Sequence, residues 1–82
     1  MKRDEIFSKM VYWIVTNNKE IDKNQITMNS TFEDLNMDSL DFLSIITDLE
    51  KHYHIVLTNE EVARMTNLSE AADVIEKRLA QT

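Results

Sequence analysis

Apolar residues recur at helical spacing in three stretches of the chain, and their period predicts where the helices lie. Over residues 3–17, Ile6, Met10, Trp13 and Ile14 form one stripe that Phe7 and Val11 widen. Trp13 is expected at the core or its edge. Asn17 and Asn18 are expected to end this helix, because Asn tolerates the left-handed conformation of a helix C-cap. Residues 38–53 carry the clearest pattern: Phe42, Ile45, Ile46, Leu49 and Tyr53 fall on a single face. Asp38 suits the N-cap, with Asp41 three residues on in a capping-box position. Ile55, Val56 and Leu57 make a short apolar connector. Thr58 to Glu61 then opens a short helix with a capping box, running to about Met65. Asn67 to Glu70 has the same form and starts the last helix, whose Ala71, Ala72, Val74, Ile75 and Leu79 face inward.

Residues 18–37 show no period. A connection of that length must be anchored or functional, and Ile21, Ile26, Phe32 and Leu35 are the residues available to anchor it. Ser30 to Glu33 fits a further capping box and predicts one short helical turn. The expected fold is therefore all-α, three main helices plus one short helix with a long first loop. Residues 1–82 are expected to form a single domain.

Composition sharpens this picture. The sequence has no Gly and no Pro, which removes the usual residues of tight hairpins and argues against an all-β fold. It has no Cys, so disulfides, cysteine zinc sites and thiol nucleophiles are excluded, and any thiol chemistry needs an added group. No apolar run reaches the ~20 residues of a membrane span. With no secretory pattern at the N-terminus, a cytoplasmic location is expected and the Asn-x-Ser/Thr triplets at Asn29 and Asn67 read as chance.

The net charge of −6 is concentrated in the middle of the chain. Residues 38–61 hold Asp38, Asp41, Asp48, Glu50, Glu60 and Glu61 against Lys51 alone. Such a field repels nucleic acid and attracts basic protein surfaces, although a solvated helix face would look the same.

Ser39 follows the N-cap of the best helix, where its hydroxyl should be reachable. The free N–H groups and the dipole of a helix start favour an anion there. Asp-Ser at a helix start is also ordinary capping, so both readings stay open. Leu40 and Leu43 lie off the core stripe beside Ser39, ringed by Asp38, Asp41 and Asp48. An apolar spot rimmed by one sign of charge suggests docking, while isolated exposed leucines are common. His52 and His54 do not share a helix face, and no third ligand completes a metal site. A hydrolase reading fails for want of a His–Asp set and a Gly-based nucleophile elbow.

The run Leu35, Asn36, Met37, Asp38, Ser39, Leu40, Asp41 resembles the attachment motif of acyl carrier proteins, in which the serine of Asp-Ser-Leu receives 4′-phosphopantetheine. The likeness continues upstream in Phe32 to Leu35. Downstream it runs through Leu49, Glu50 and Tyr53, then Ile55 to Leu57, Asn59 to Ala63, and Met65 with Thr66. It covers most of the chain in the same helix order, as a free-standing acyl-carrier-like four-helix bundle.

The resemblance implies a carrier and not an enzyme. A carrier protein synthase (a phosphopantetheinyl transferase) would move phosphopantetheine from coenzyme A to Ser39, with Asp38 helping to place the serine. Leu40, Asp41, Leu43 and Asp48 would face acyl-transferring and acyl-modifying enzymes that carry basic docking patches. The core between the helices would shelter a short acyl chain, with Phe42, Ile46 and Tyr53 helping to line it. A monomer is expected. Asn36 and Met37 replace the Gly-Ala common before the motif, Ser44 and Thr47 stand at usual acidic and apolar contact positions, and His52 and His54 stand where acidic residues are frequent. These departures point to a specialised acyl or polyketide pathway over standard fatty-acid synthesis. An aminoacyl or peptidyl carrier of the same fold is the near alternative, against which the lack of a Gly-rich approach and the presence of Asp41 both speak. An unmodified acidic helical adaptor is the alternative from another class.

Overall fold

A computed structural model describes residues 2–81. Four α-helices follow in order: α1 (Lys2–Asn17), α2 (Ser39–Tyr53), α3 (Asn59–Arg64) and α4 (Leu68–Ala80). A short 3-10 helix (Lys23–Gln25) interrupts the first loop. The expected all-α layout of three main helices and one short one is what forms. Helix α1 packs on both α2 and α4, and α3 packs on α4.

The helical stripes become the core. Ile6, Met10 and Ile14 of α1 meet Ile45, Ile46 and Leu49 of α2 and Ala71, Ala72 and Ile75 of α4. Each large aliphatic side chain buried this way contributes roughly 1.5–3 kcal/mol of transfer free energy. Trp13 sits at the core edge, where its ring meets His52 edge-on at 5.7 Å. Leu68, the first residue of α4, is fully buried as well and extends the stripe of Ala71, Ala72 and Ile75 toward the N-terminus. Among the described residues no polar or charged side chain is buried.

The long loop is anchored, as its apolar residues required. Ile26, Phe32 and Leu35 are buried, and Ile21 and Met28 pack against the core. Its backbone closes the N-terminus of α4. Leu68 N–H donates to the Ser30 carbonyl at 3.1 Å, and Ser69 N–H donates to the Met28 carbonyl at 2.8 Å. Glu70 N–H donates to the Asn67 side chain at 2.7 Å. Donors that the helix cannot satisfy itself are thus met by the loop and the cap.

Three capping expectations need correction. Helix α1 does end at Asn17, but neither Asn17 nor Asn18 is left-handed. The loop turn is not capped by Ser30: the Thr31 hydroxyl accepts from Asp34 N–H at 2.9 Å, while the Ser30 hydroxyl accepts from Thr27 N–H. At α4 only half of the box forms, because the Glu70 carboxylate accepts from the Thr66 hydroxyl at 2.7 Å. At the loop turn the cap sits one residue further on, at Thr31, and at α4 the Thr66 hydroxyl takes the carboxylate that would have closed the box.

With no glycine available, the chain enters the left-handed region at Asn36 and His54, each with φ of 58°. Asn36 closes the turn ahead of α2, and Met37 N–H reaches back to the Phe32 carbonyl at 3.1 Å. His54 caps the end of α2, where the Glu50 carbonyl receives its N–H and that of Ile55.

Candidate functional site

Ser39 occupies the first helical position of α2, and its side chain is exposed. The capping box read from the sequence is present in both directions. Asp41 N–H donates to the Asp38 carboxylate at 2.9 Å, and Asp38 N–H donates to the Asp41 carboxylate at 3.3 Å. Phe42 N–H is taken by the Asp38 carbonyl at 3.0 Å. The remaining N–H groups at this helix start, those of Ser39 and Leu40, have no partner among the described residues. They and the helix dipole provide an anion with a favourable setting next to the serine hydroxyl.

None of the side chains expected around Ser39 is buried. Leu40 is 77% exposed and Leu43 is 51% exposed, large values for leucines in a small bundle. Asp38 is exposed, while Asp41 and Asp48 are half-buried along the same helix. Val56, in the connector before α3, is a further exposed apolar side chain that the sequence pattern had assigned only to an apolar link.

That connector is held from two sides. The Glu50 carboxylate accepts from Leu57 N–H at 2.8 Å. Arg78 of α4 donates to the Val56 carbonyl at 2.9 Å and pairs with Glu61 at 2.6 Å. Glu61 also closes the α3 capping box with Thr58. Hydrogen bonds from Thr58, its backbone N–H first, and then the Arg78 guanidinium hold the Glu61 carboxyl below the usual carboxylate range.

A surface groove of about 360 Å³ opens beside Ser39. Phe32, Met37, Phe42 and Met65 supply its apolar wall, with Thr31, Glu33, Asp38, Ser39 and Thr66 around them. Its parts come from the loop, the start of α2 and the α3–α4 junction, so no local sequence pattern announced it. The shelter was expected in the core between the helices; this groove lies at the surface, and of the three residues named for the shelter Phe42 lines it. Ile46 is buried in the core and Tyr53 lies at the other end of α2; neither is among the residues lining the groove.

The two histidines stand far from Ser39. His52 is 13 positions further along the same helix, about 20 Å at 1.5 Å per residue. It packs against Trp13 and Tyr53. Burial, and then the Glu5 carboxylate, push the Tyr53 hydroxyl above its usual pKa. Among the described residues, no helix is long and apolar enough to cross a membrane.

Comparison with known proteins points the same way as this geometry. Residues 19–75 match the family model described as "Phosphopantetheine attachment site". An acyl carrier protein of Guillardia theta is 32% identical over 81 residues, covering 98% of this chain and 99% of that protein. An acyl carrier protein homolog of Mycoplasmopsis pulmonis is 33% identical over 66 residues, covering 80% of this chain and 90% of its own length. Among solved structures, the acyl carrier protein from Enterococcus faecalis, studied for its high thermal stability, superposes with a TM-score of 0.74 at 25% identity. That match covers 94% of this chain and 98% of the other.

Proposed function

The chain belongs to the acyl carrier protein family, whose members are non-catalytic carriers with a phosphopantetheine attachment site, and from that premise we propose that Ser39 is the residue that takes the arm. The observation that carries the reading is the exposed Ser39 hydroxyl at the start of a helix closed by a capping box, within the Leu35 to Asp41 run.

The residues present fit the group. The hydroxyl is open to solvent, unpartnered N–H groups and the positive end of the helix dipole face a phosphodiester there, and the adjoining groove leaves room beside it. In loading, Ser39 Oγ attacks the phosphorus that bears the pantetheine in coenzyme A. The new O–P bond replaces a pyrophosphate O–P bond, adenosine 3′,5′-bisphosphate leaves, and the hydroxyl proton passes to a base of the synthase or to water. When bound, phosphopantetheine supplies the thiol, absent from this cysteine-free chain, on which acyl groups are carried as thioesters.

Asp38 acts twice in this reading. It fixes the first turn of α2 and presents a carboxylate beside the serine for the synthase to use. Leu40, Leu43, Asp41 and Asp48 form the face that meets the basic patches of acyl-handling enzymes, an apolar contact steered by charge. Residues 1–82 act as one carrier domain, a cytoplasmic monomer. Asn36, Met37, Ser44, Thr47, His52 and His54 depart from the usual family pattern and support service in a specialised acyl or polyketide pathway. The test is intact mass after incubation with coenzyme A and a broad-specificity phosphopantetheinyl transferase, with the added mass mapped by peptide analysis.

A further inference from the structure

The groove beside Ser39 ends on a pair of aromatic rings. Phe42 lies three residues after Ser39 on α2, and its ring meets that of Phe32 at a centroid distance of 4.9 Å and a tilt of 59°. Phe32 is buried, Phe42 half-buried, and both line the groove. One turn further along the same helix face, Ile46 is buried but does not reach the groove. Ile45 and Leu49 are fully buried in contact with the core of α1 and α4. The rings therefore stand between a shallow apolar cleft and the core behind it. At about 360 Å³ the cleft is near the small end of ligand pockets, and it is open to solvent.

We infer that the Phe32–Phe42 pair sets the cargo of this carrier, admitting a short acyl chain at the surface groove and stopping a long one from entering the bundle. The inference rests on the Ser39 reading. Phe42 is the determining residue, because it alone of the pair sits on the helix that bears Ser39 and faces Ile46 one turn deeper. Phe32 braces it. A chain of a few carbons covers Met37, Met65 and the ring faces, and its burial stabilises the folded protein. Each further methylene meets the aromatic wall and stays in water, adding nothing.

The experiment compares thermal unfolding midpoints of the Ser39-loaded protein carrying acetyl, butanoyl, octanoyl or dodecanoyl groups, in the wild type and in Phe42→Ala. Loading is verified by intact mass on every sample. A fully buried methylene raises the midpoint by about 3–6 °C in a domain of this size. The wild type is expected to gain from acetyl to butanoyl and then to stay level, whereas Phe42→Ala gains again from butanoyl to octanoyl. Phe42→Leu, which keeps more of the packing, serves as the second variant and shows the same change to a smaller extent. A wild type that keeps gaining through dodecanoyl overturns the inference. So does one indifferent to all four chains, or a set of variants with the wild-type profile. A protein that never acquires the arm removes the Ser39 reading and this inference with it; one that loads but shows the wrong profile removes the inference alone.

Discussion

Asp38 and Asp41 exchange hydrogen bonds across the first turn of α2, at 2.9 and 3.3 Å, and the residue they enclose at the helix start is Ser39. The same two side chains that fix the helix start hold the serine in place and put negative charge beside it. Structural and functional demands meet in one four-residue unit.

Separating those demands is feasible. Asp38→Ala is expected to cost about 0.5–2 kcal/mol in urea unfolding, the usual value of an N-cap. Asp38→Ser restores a capping oxygen without the carboxylate, so it recovers most of the stability. If the carboxylate also serves the synthase, loading of Asp38→Ser stays slow under saturating coenzyme A. Full recovery of both properties would reduce Asp38 to a cap.

The left-handed turn at Asn36 gives a purely conformational prediction. Its φ of 58° is tolerable for Asn and costs a β-branched residue about 1–2 kcal/mol. Asn36→Val should lose that amount in urea unfolding, and Asn36→Gly should hold or gain a few tenths. Because Asn36 also positions Met37 and the approach to α2, Asn36→Val is expected to slow loading at Ser39 in parallel.

Glu61 predicts an acid-sensitive clamp. Its carboxyl pKa lies below the usual value when folded, so the stability it contributes is fully present above the unfolded carboxylate pKa of about 4.3 and is lost as pH falls through the lower folded value. Glu61→Gln should therefore be less stable than wild type at pH 7, with the gap closing on acidification. Urea midpoints measured from pH 7 to pH 3 check this. A gap that is constant over that range would contradict it.

The acidic face predicts salt-dependent docking. Asp48→Lys should weaken binding to a cognate synthase several-fold at low ionic strength, with the two proteins converging as salt is raised past the ~0.15 M at which the screening length is about 8 Å. Leu43→Ser should weaken binding to a similar extent at all salt concentrations, because its contribution is apolar. Titration calorimetry at two salt concentrations separates the two.

Much of this was legible in the sequence, for local reasons. The stripes Ile6, Met10, Ile14 and Ile45, Ile46, Leu49 are periodic, and the boxes at Asp38 with Asp41 and Thr58 with Glu61 span one turn each. The exposure of Leu40 and Leu43 followed from their being off the stripe of their own helix. What escaped was set by competition or by distance along the chain. The cap of the loop turn lies at Thr31, one residue past Ser30, and Thr66 holds the Glu70 carboxylate that would have closed the box at Asn67. Leu68 is buried at the first position of α4, where the loop carbonyl of Ser30 accepts from its N–H. The groove gathers Phe32, Met37, Phe42 and Met65 from three separate segments, and only the fold brings them to Ser39.

The central claim is tested most directly by intact mass on wild type and Ser39→Ala after incubation with coenzyme A and an active broad-specificity transferase. The account predicts a gain of one phosphopantetheine on the wild type, mapped to Ser39. It predicts no gain on Ser39→Ala, whose unfolding midpoint stays near wild type because the exposed hydroxyl packs against little. A folded wild type that gains nothing, beside a control carrier that does, would contradict the account and leave an unmodified acidic adaptor in its place.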